Sequence, residues 1–323
     1  MPRFKALTFV LSLATLSATA FGQNANPASP GTLNYIEGQA SIEGRPLSSQ
    51  SVGNTTLQAG QVLATANGKA EILLTPGIFL RLGNDSTVQM ISPDLTHTEV
   101  RLEQGRANVE VDQIHPQNTI LIDLKDGQTQ LLKNGLYAFD ATKSTVRVFD
   151  GKAALYPGAD LQANIKPIDV KGGHQLALNG EPLKPQGFNK DQAAADPFYK
   201  WSSLRSQYLG EANLNLAEQY AGYSGFYPGW YWAGGPYGYT WLPGDGLFWS
   251  PFGYGFYSPW YLYGGGFVYG GYGRGFYGYR GGRPAGVYRG GQPVSGFRGG
   301  AVGGGFHGGG GGGFHGGGGG GHR

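Results

Sequence analysis

The side chains with chemistry to offer fall into three groups: closely spaced carboxylates, scattered histidines, and a dense run of tryptophans. Glu99, Glu103, Glu110 and Asp112 are near enough in sequence to raise the idea of an acid/base pair that cleaves a glycosidic bond. They fall at alternate positions of segments that read as strands, which predicts a solvated face rather than a cleft. His97, His115 and His174 are single and far apart. No Gly-x-Ser-x-Gly elbow, phosphate-binding glycine loop or His-Glu-x-x-His pattern occurs. The sequence therefore reads as a non-enzyme, with no catalytic residue, no cofactor site and no metal site. Phe306-His307 and Phe314-His315 are each followed by six glycines, and His322 stands next to the end. Imidazoles on so flexible a spacing leave the full ordering entropy to be overcome, so a mobile end is expected there rather than a metal centre.

The tryptophans are more suggestive. Phe226-Tyr227-Pro228-Gly229-Trp230-Tyr231-Trp232 and Trp241-Leu242-Pro243-Gly244 interleave large rings with residues that break helices and ladders. Flat indole faces stack on sugar rings or on a protein partner, so Trp230, Trp232 and Trp241 are the candidate contacts for a glycan or a partner. Further on, Tyr279-Arg280-Gly281-Gly282, Tyr288-Arg289-Gly290-Gly291 and Phe297-Arg298-Gly299-Gly300 repeat an aromatic-Arg-Gly-Gly unit. Inside a cell that unit would suit RNA, because arginine and aromatic faces stack on bases. Export makes nucleic acid an unsuitable partner here.

Export is read from the N-terminus. Arg3 and Lys5 precede an uncharged stretch from Ala6 to Ala20 with small residues at Ala18 and Ala20, the pattern of a cleavable signal peptide over residues 1–22. No later stretch has the roughly 20 apolar residues of a membrane helix, so the mature chain is expected to carry none. The 323 residues contain no cysteine, which excludes disulfides, thiolate metal sites and a lipid-anchored cysteine. Charge and glycine divide the chain: residues 23–221 carry a net −4, whereas residues 222–323 carry +5 and most of the 60 glycines.

These side chains must be positioned by short strands. Ala70, Ile72 and Leu74; Ile78, Leu80 and Leu82; and Ala107, Val109 and Val111 recur at every second position, as do runs at 100–102, 120–124, 145–149 and 165–170. Turn dipeptides separate them: Asn67-Gly68, Pro76-Gly77, Gln104-Gly105, Asp126-Gly127, Asn134-Gly135, Asp150-Gly151 and Asn179-Gly180. An all-β domain over 33–180 follows. Over 191–220, Asp196-Pro197 with Phe198, Trp201, Leu204, Arg205, Tyr208 and Leu209 predicts one short helix, a connector whose apolar stripe packs on the β domain. From 221 to 323 a low-complexity, largely disordered tail rich in Gly, Tyr, Trp and Arg is expected.

The segments Leu57 to Thr65, Gly68 to Gly77 and Phe79 to Gly83 with Ser86 resemble the opening of a FecR domain. Glu99 to Ala107 with Val109 and Val111 is similar to that family's strand pair, and Val146 to Ala153 to its closing hairpin. At the penultimate strand Gly135-Leu136 stands where the family usually has Gly-Thr. The resemblance implies a β-solenoid-like coil or twisted β-sheet in the periplasm. In the family's signalling members this domain senses an outer-membrane receptor, and a membrane helix and a cytoplasmic anti-sigma segment pass the signal inward. Here a signal peptide stands in their place. The expectation is an exported, non-enzymatic binding or scaffolding protein of the bacterial envelope, in the periplasm, peripherally on the outer membrane, or at the cell surface. Its partner would be an envelope protein or a polysaccharide. A regulatory sensor acting through a separate membrane protein and a peptidoglycan-binding module are the alternatives.

Overall fold

The structure is a computed structural model that describes residues 27–158 and 166–264. The expected signal peptide, the Arg-Gly-Gly units and the Phe-His octads lie outside the described residues. In chain order the strands are β1 (Leu33–Ile42), β2 (Arg45–Pro46), β3 (Val62–Leu73), β4 (Ile78–Leu82), β5 (Thr87–Pro93), β6 (His97–Gln104), β7 (Arg106–Val111), β8 (Thr119–Leu124), β9 (Gly127–Leu131) and β10 (Gly135–Asp140). They continue with β11 (Thr145–Val148), β12 (Lys152–Pro157), β13 (Ile168–Lys171), β14 (His174–Ala177) and β15 (Gln186–Gly187). Helices α1 (Lys190–Ala194) and α2 (Pro197–Tyr220) follow, then hairpin strands β16 (Gly229–Trp232), β17 (Tyr239–Leu242), β18 (Leu247–Trp249) and β19 (Gly255–Tyr257), and helix α3 (Pro259–Tyr263).

Strands β1 to β15 form one open sheet, ordered β13-β12-β9-β8-β6-β5-β3-β4-β7-β10-β11-β14-β15, with β1 running along β3 and β2 on β1. The all-β expectation holds, in its twisted-sheet form. A solenoid would coil parallel strands, whereas β6–β8 is the one parallel pair among the described residues.

The sheet doubles over at β3. Its first residues, Val62 to Ala64, pair with β5, and its last, Ala70 to Leu73, pair with β4. Between them Gly68 faces Gly38 of β1. A Cβ on Gly68 would lie 2.4 Å from the backbone nitrogen of Gln39, so only glycine lets the two strands bend together there. Asn67-Gly68 is thus a bend inside a strand, not the hairpin turn its composition suggests. The other expected turn dipeptides, Pro76-Gly77 to Asp150-Gly151, do fall where one strand ends and the next begins, with Gln104, Gly127 and Gly135 as terminal strand residues. Because the two layers face each other, Val88, Val100, Ile122 and Leu155 from one meet Leu80, Val109, Tyr137 and Val146 from the other in one buried core.

The second layer, from the end of β3 through β4, β7, β10, β11 and β14, has a covered outer face as well. Every residue of β4 is buried. Helix α2 begins where the sequence places it: Pro197 is its first residue, and the Asp196 carboxylate accepts from Phe198 N (2.7 Å) and Tyr199 N (3.3 Å). It lies over this face, with β16–β17, β18–β19 and α3 against it. Leu73 and Phe79 of the sheet, Leu209 of the helix, and Tyr239, Trp241 and Phe256 of the hairpins make a second buried cluster. Residues 229–263 therefore carry strands and a helix where the sequence suggests a tail without a core. Their aromatics find that core on the β domain and the helix, surfaces that composition does not show.

Candidate functional site

Antiparallel register lines up one row of outward-facing residues across the second layer: Tyr35, Glu71, Arg81, Asn108, Ala138, Arg147 and Gln175, from β1 to β14. The row begins in a sealed ion network and ends in an open trough.

In the network, Arg81 Nε donates to Glu71 Oε2 (2.6 Å), and its Nη1 donates to Glu110 Oε2. From α2, Arg205 Nη2 donates to Glu71 Oε1 (2.8 Å), with its guanidinium 4.0 Å from the centre of the Tyr35 ring. Ser206 Oγ donates to Glu110 Oε1 (2.6 Å), and Asn34 Nδ2 to Glu71 Oε1 (2.8 Å). Burial works against ionisation of Glu71, but Arg205 and Arg81 outweigh it and hold its carboxyl at about 2. Burial likewise opposes the charge on Arg81, and Glu110 and Glu71 outweigh it, so its pKa is raised. Asp112, two residues after Glu110 and just past the end of β7, has no hydrogen-bond partner for either carboxyl oxygen among the described residues. Burial, reinforced by the charge on Glu110, pushes its carboxyl well above the ordinary aspartate range.

The expectation that Glu110 and Asp112 are solvated is corrected: they are 0 % and 1 % exposed, because α2 and the hairpins cover the outer face. Glu103 is exposed, and Glu99 touches His97 at the surface (3.2 Å). Among the described residues none of the four borders either of the cavities described below.

The three tryptophans come together, but as packing. Trp241 is 1 % exposed, edge-on to Phe248 (5.1 Å between ring centres) and beside Phe256 (5.8 Å). Trp230 meets Phe79 edge-on at 5.0 Å. Trp232 packs on Tyr239 and over Gly53, where a Cβ would come within 2.6 Å of its ring. Trp241 offers no face to a ligand, whereas Trp230 and Trp232 are half-buried, with one side of each ring in the packing. The more exposed rings, Trp249 and Tyr227 among them, were not singled out by sequence.

At its far end the row opens into a trough between the sheet and the helices. One cavity of about 200 Å³ is bordered by Arg106, Asp140, Lys143 and Arg147 of the sheet layer and by Asp196 and Tyr199 of the helical segment. A second of about 300 Å³ is bordered by Arg147, Gln175, Phe188, Asn189, Gln192 and Ala193. Arg147 borders both. Beneath them runs an aromatic series, Phe188 to Phe149 (5.2 Å), Phe149 to Tyr199 (5.0 Å) and Tyr199 to Phe252 (5.2 Å). Arg106 is spent on Asp196 (2.7 Å), and Lys143 lies 4.0 Å from Asp140. Arg147 Nε donates to Gln175 Oε1 (2.9 Å), with its guanidinium 5.0 Å from the centre of the Phe188 ring. Sequence alone marked Arg147 only as a strand residue; the pairing of β11 with β14 is what sets it beside Gln175.

Residues 61–154 match the family model described as FecR protein. The match runs from the start of β3 into β12, so the doubled sheet falls largely within it, while β1, α2 and the aromatic hairpins lie outside. No curated protein matches the chain. Two crystal structures of a candidate anti-sigma factor from Parabacteroides distasonis ATCC 8503 are similar at 12% identity, with TM-scores of 0.34 and 0.33. They cover 42% and 41% of this chain, which spans 62% and 61% of theirs. Among the described residues no helix is long and apolar enough to cross a membrane.

Proposed function

We propose that this chain, which carries a FecR domain at residues 61–154, is an exported, non-catalytic binding protein of the bacterial envelope. It holds a partner protein in the trough that α1, α2 and the outer face of β7, β10, β11 and β14 leave between them. The observation that carries the reading is the contrast along one row of the sheet. At Glu71 and Arg81 every side chain is sealed under α2, whereas at Arg147 and Gln175 the same face stays open over an aromatic floor. A protein that used this face only for packing would have covered it throughout. The regulatory version of the reading, in which the partner is a separate membrane protein, is favoured by the family match.

The test uses a photo-crosslinking amino acid at Lys143, on the trough, and at Glu103, which is exposed on the opposite layer. The full chain is expressed in its host and the envelope fraction irradiated. A discrete adduct from position 143 that is missing from position 103 is the expected result. Equal labelling from both positions, or none from 143, defeats the assignment.

A further inference from the structure

The second cavity has a one-sided chemistry. The groups around it are a guanidinium, three side-chain amides, a phenyl ring and an alanine, with no carboxylate among them. Two of the amides have already committed their acceptor oxygen: Gln175 Oε1 accepts from Arg147 Nε (2.9 Å), and Asn189 Oδ1 accepts from Gln192 N (3.0 Å) at the start of α1. Each of these oxygens keeps one lone pair, against two unpaired N–H on each amide nitrogen, and Arg147 adds only donors, its terminal nitrogens making no ion pair among the described residues. The neighbouring cavity differs, since its cations Arg106 and Lys143 stand against Asp196 and Asp140.

We infer that the cavity around Arg147 and Gln175 takes a carboxylate, supplied by an acidic, extended segment of a partner protein; this rests on the binding function proposed above. An array of donors with one fixed cation fits a ligand atom set that only accepts. A planar, singly charged carboxylate matches the two terminal nitrogens of one guanidinium. A phosphate would bring a second negative charge, and Arg147 is the one cation among the residues that border the cavity. The Phe188 ring beneath Arg147 holds the fork in place, and Gln175 fixes its Nε, so little rotamer freedom is left to lose on binding. A peptide is favoured over an acidic sugar because Phe149 is 7 % exposed and Phe188 is already under Arg147, so the floor has no open ring face for a pyranose. Free amide N–H groups beside the cation suit backbone carbonyls flanking the acid.

Fluorescence anisotropy with the full chain tests this. The probes are a fluorescein-labelled ten-residue peptide alternating glutamate and serine, and its glutamine twin, at fixed salt. The glutamate peptide is expected to bind about tenfold or more tightly than the twin. Arg147→Gln should remove that preference and Arg147→Lys reduce it. Arg101→Gln, the same charge change on the other layer, should leave it intact. Equal binding of the two peptides to the unaltered chain overturns the inference, as does a preference that survives Arg147→Gln. Binding of fluorescein-labelled polygalacturonate by a chain that ignores the glutamate peptide overturns it in favour of a sugar acid. If the adduct at position 143 forms but the peptides do not differ, the carboxylate site falls while the binding function stands; if that adduct is missing, the binding function itself falls.

Discussion

Between the sheet and α2, three carboxyl groups, Glu71, Glu110 and Asp112, share a dry layer with two guanidiniums, Arg81 and Arg205. Two of each sign balance; the third carboxyl has no cation left and no donor within reach, so the neutral acid is the form the fold accommodates. This has opposite consequences on the two sides of neutrality. Glu71 has its pKa lowered on folding, from 4.5 to about 2, so its contribution is present above pH 4.5 and is lost as pH falls toward 2. Asp112 has its pKa raised on folding, so it costs nothing below its unfolded value of 3.8 and costs progressively more as pH rises toward its folded value. Asp112→Asn keeps the shape and removes that cost. Urea denaturation should show the variant more stable than the parent at pH 8, on the order of 1–3 kcal/mol, and indistinguishable at pH 3.5. A variant less stable at pH 8 would mean that the carboxylate is ionised and held. The alternation of residues correctly assigned Glu110 and Asp112 to the outer side of their strand; what it did not contain was the cover. The nearest signal was β4 itself, where Phe79 stands outward between Ile78 and Leu80, the continuous apolar run of a strand buried on both faces.

Helix α2 holds the hairpins by side-chain amides as well as by apolar surface. Asn213 Nδ2 donates to Trp241 O (2.8 Å) and Tyr257 O (3.1 Å), and its Oδ1 accepts from Tyr257 N (2.7 Å), so one residue ties both hairpins to the helix. On the other side Asn34 of β1 brackets Tyr239, donating to its carbonyl (3.0 Å) and accepting from its amide (2.6 Å). Asn213→Ala removes all three hydrogen bonds, one of them buried and two partly buried, a loss of about 2–4 kcal/mol. Near-ultraviolet circular dichroism from the tryptophans should fall sharply while the far-ultraviolet sheet signal persists; unchanged near-ultraviolet signal would show that ring packing alone places the hairpins. This is also where the sequence became hard to read. The helix start was plain from Asp196-Pro197, but its buried side is Ser202, Arg205, Ser206, Gly210 and Asn213 as much as Phe198 and Leu209, while Leu204 and Tyr208 of the apparent apolar stripe are exposed. Polar residues bury here because each meets a specific partner across the layer, and hydrophobic periodicity carries no trace of such pairing. The trough was hidden for a related reason: Arg147 and Gln175 are 28 residues apart and meet only through the pairing of β11 with β14.

At the scale of the whole molecule, the family match stops at residue 154 while the packing continues to residue 263. A chain ending at Tyr220 would keep the doubled sheet and α2 but uncover Leu73, Phe79 and Leu209, remove the bonds of Asn34 to Tyr239, and strip the hairpin partners from Asn213. Each large apolar side chain returned to water forfeits about 1.5–3 kcal/mol, so the loss of several contacts at once consumes much of the stability of a domain this size. A chain ending at Gly264 keeps both hairpins and α3, whose Pro259 is buried and whose Tyr263 ring lies against Gly222. The two truncations should therefore behave differently although both remove every Arg-Gly-Gly unit. The one ending at Gly264 should unfold at the urea midpoint of the full chain. The one ending at Tyr220 should unfold at a clearly lower midpoint and bind the dye ANS in buffer, because an apolar face larger than a soluble domain ordinarily exposes is left open. If it instead matches the full chain in midpoint and binds no dye, the aromatic hairpins are an appendage on a self-sufficient sheet, and the sealed half of the row from Glu71 to Glu110 needs another explanation.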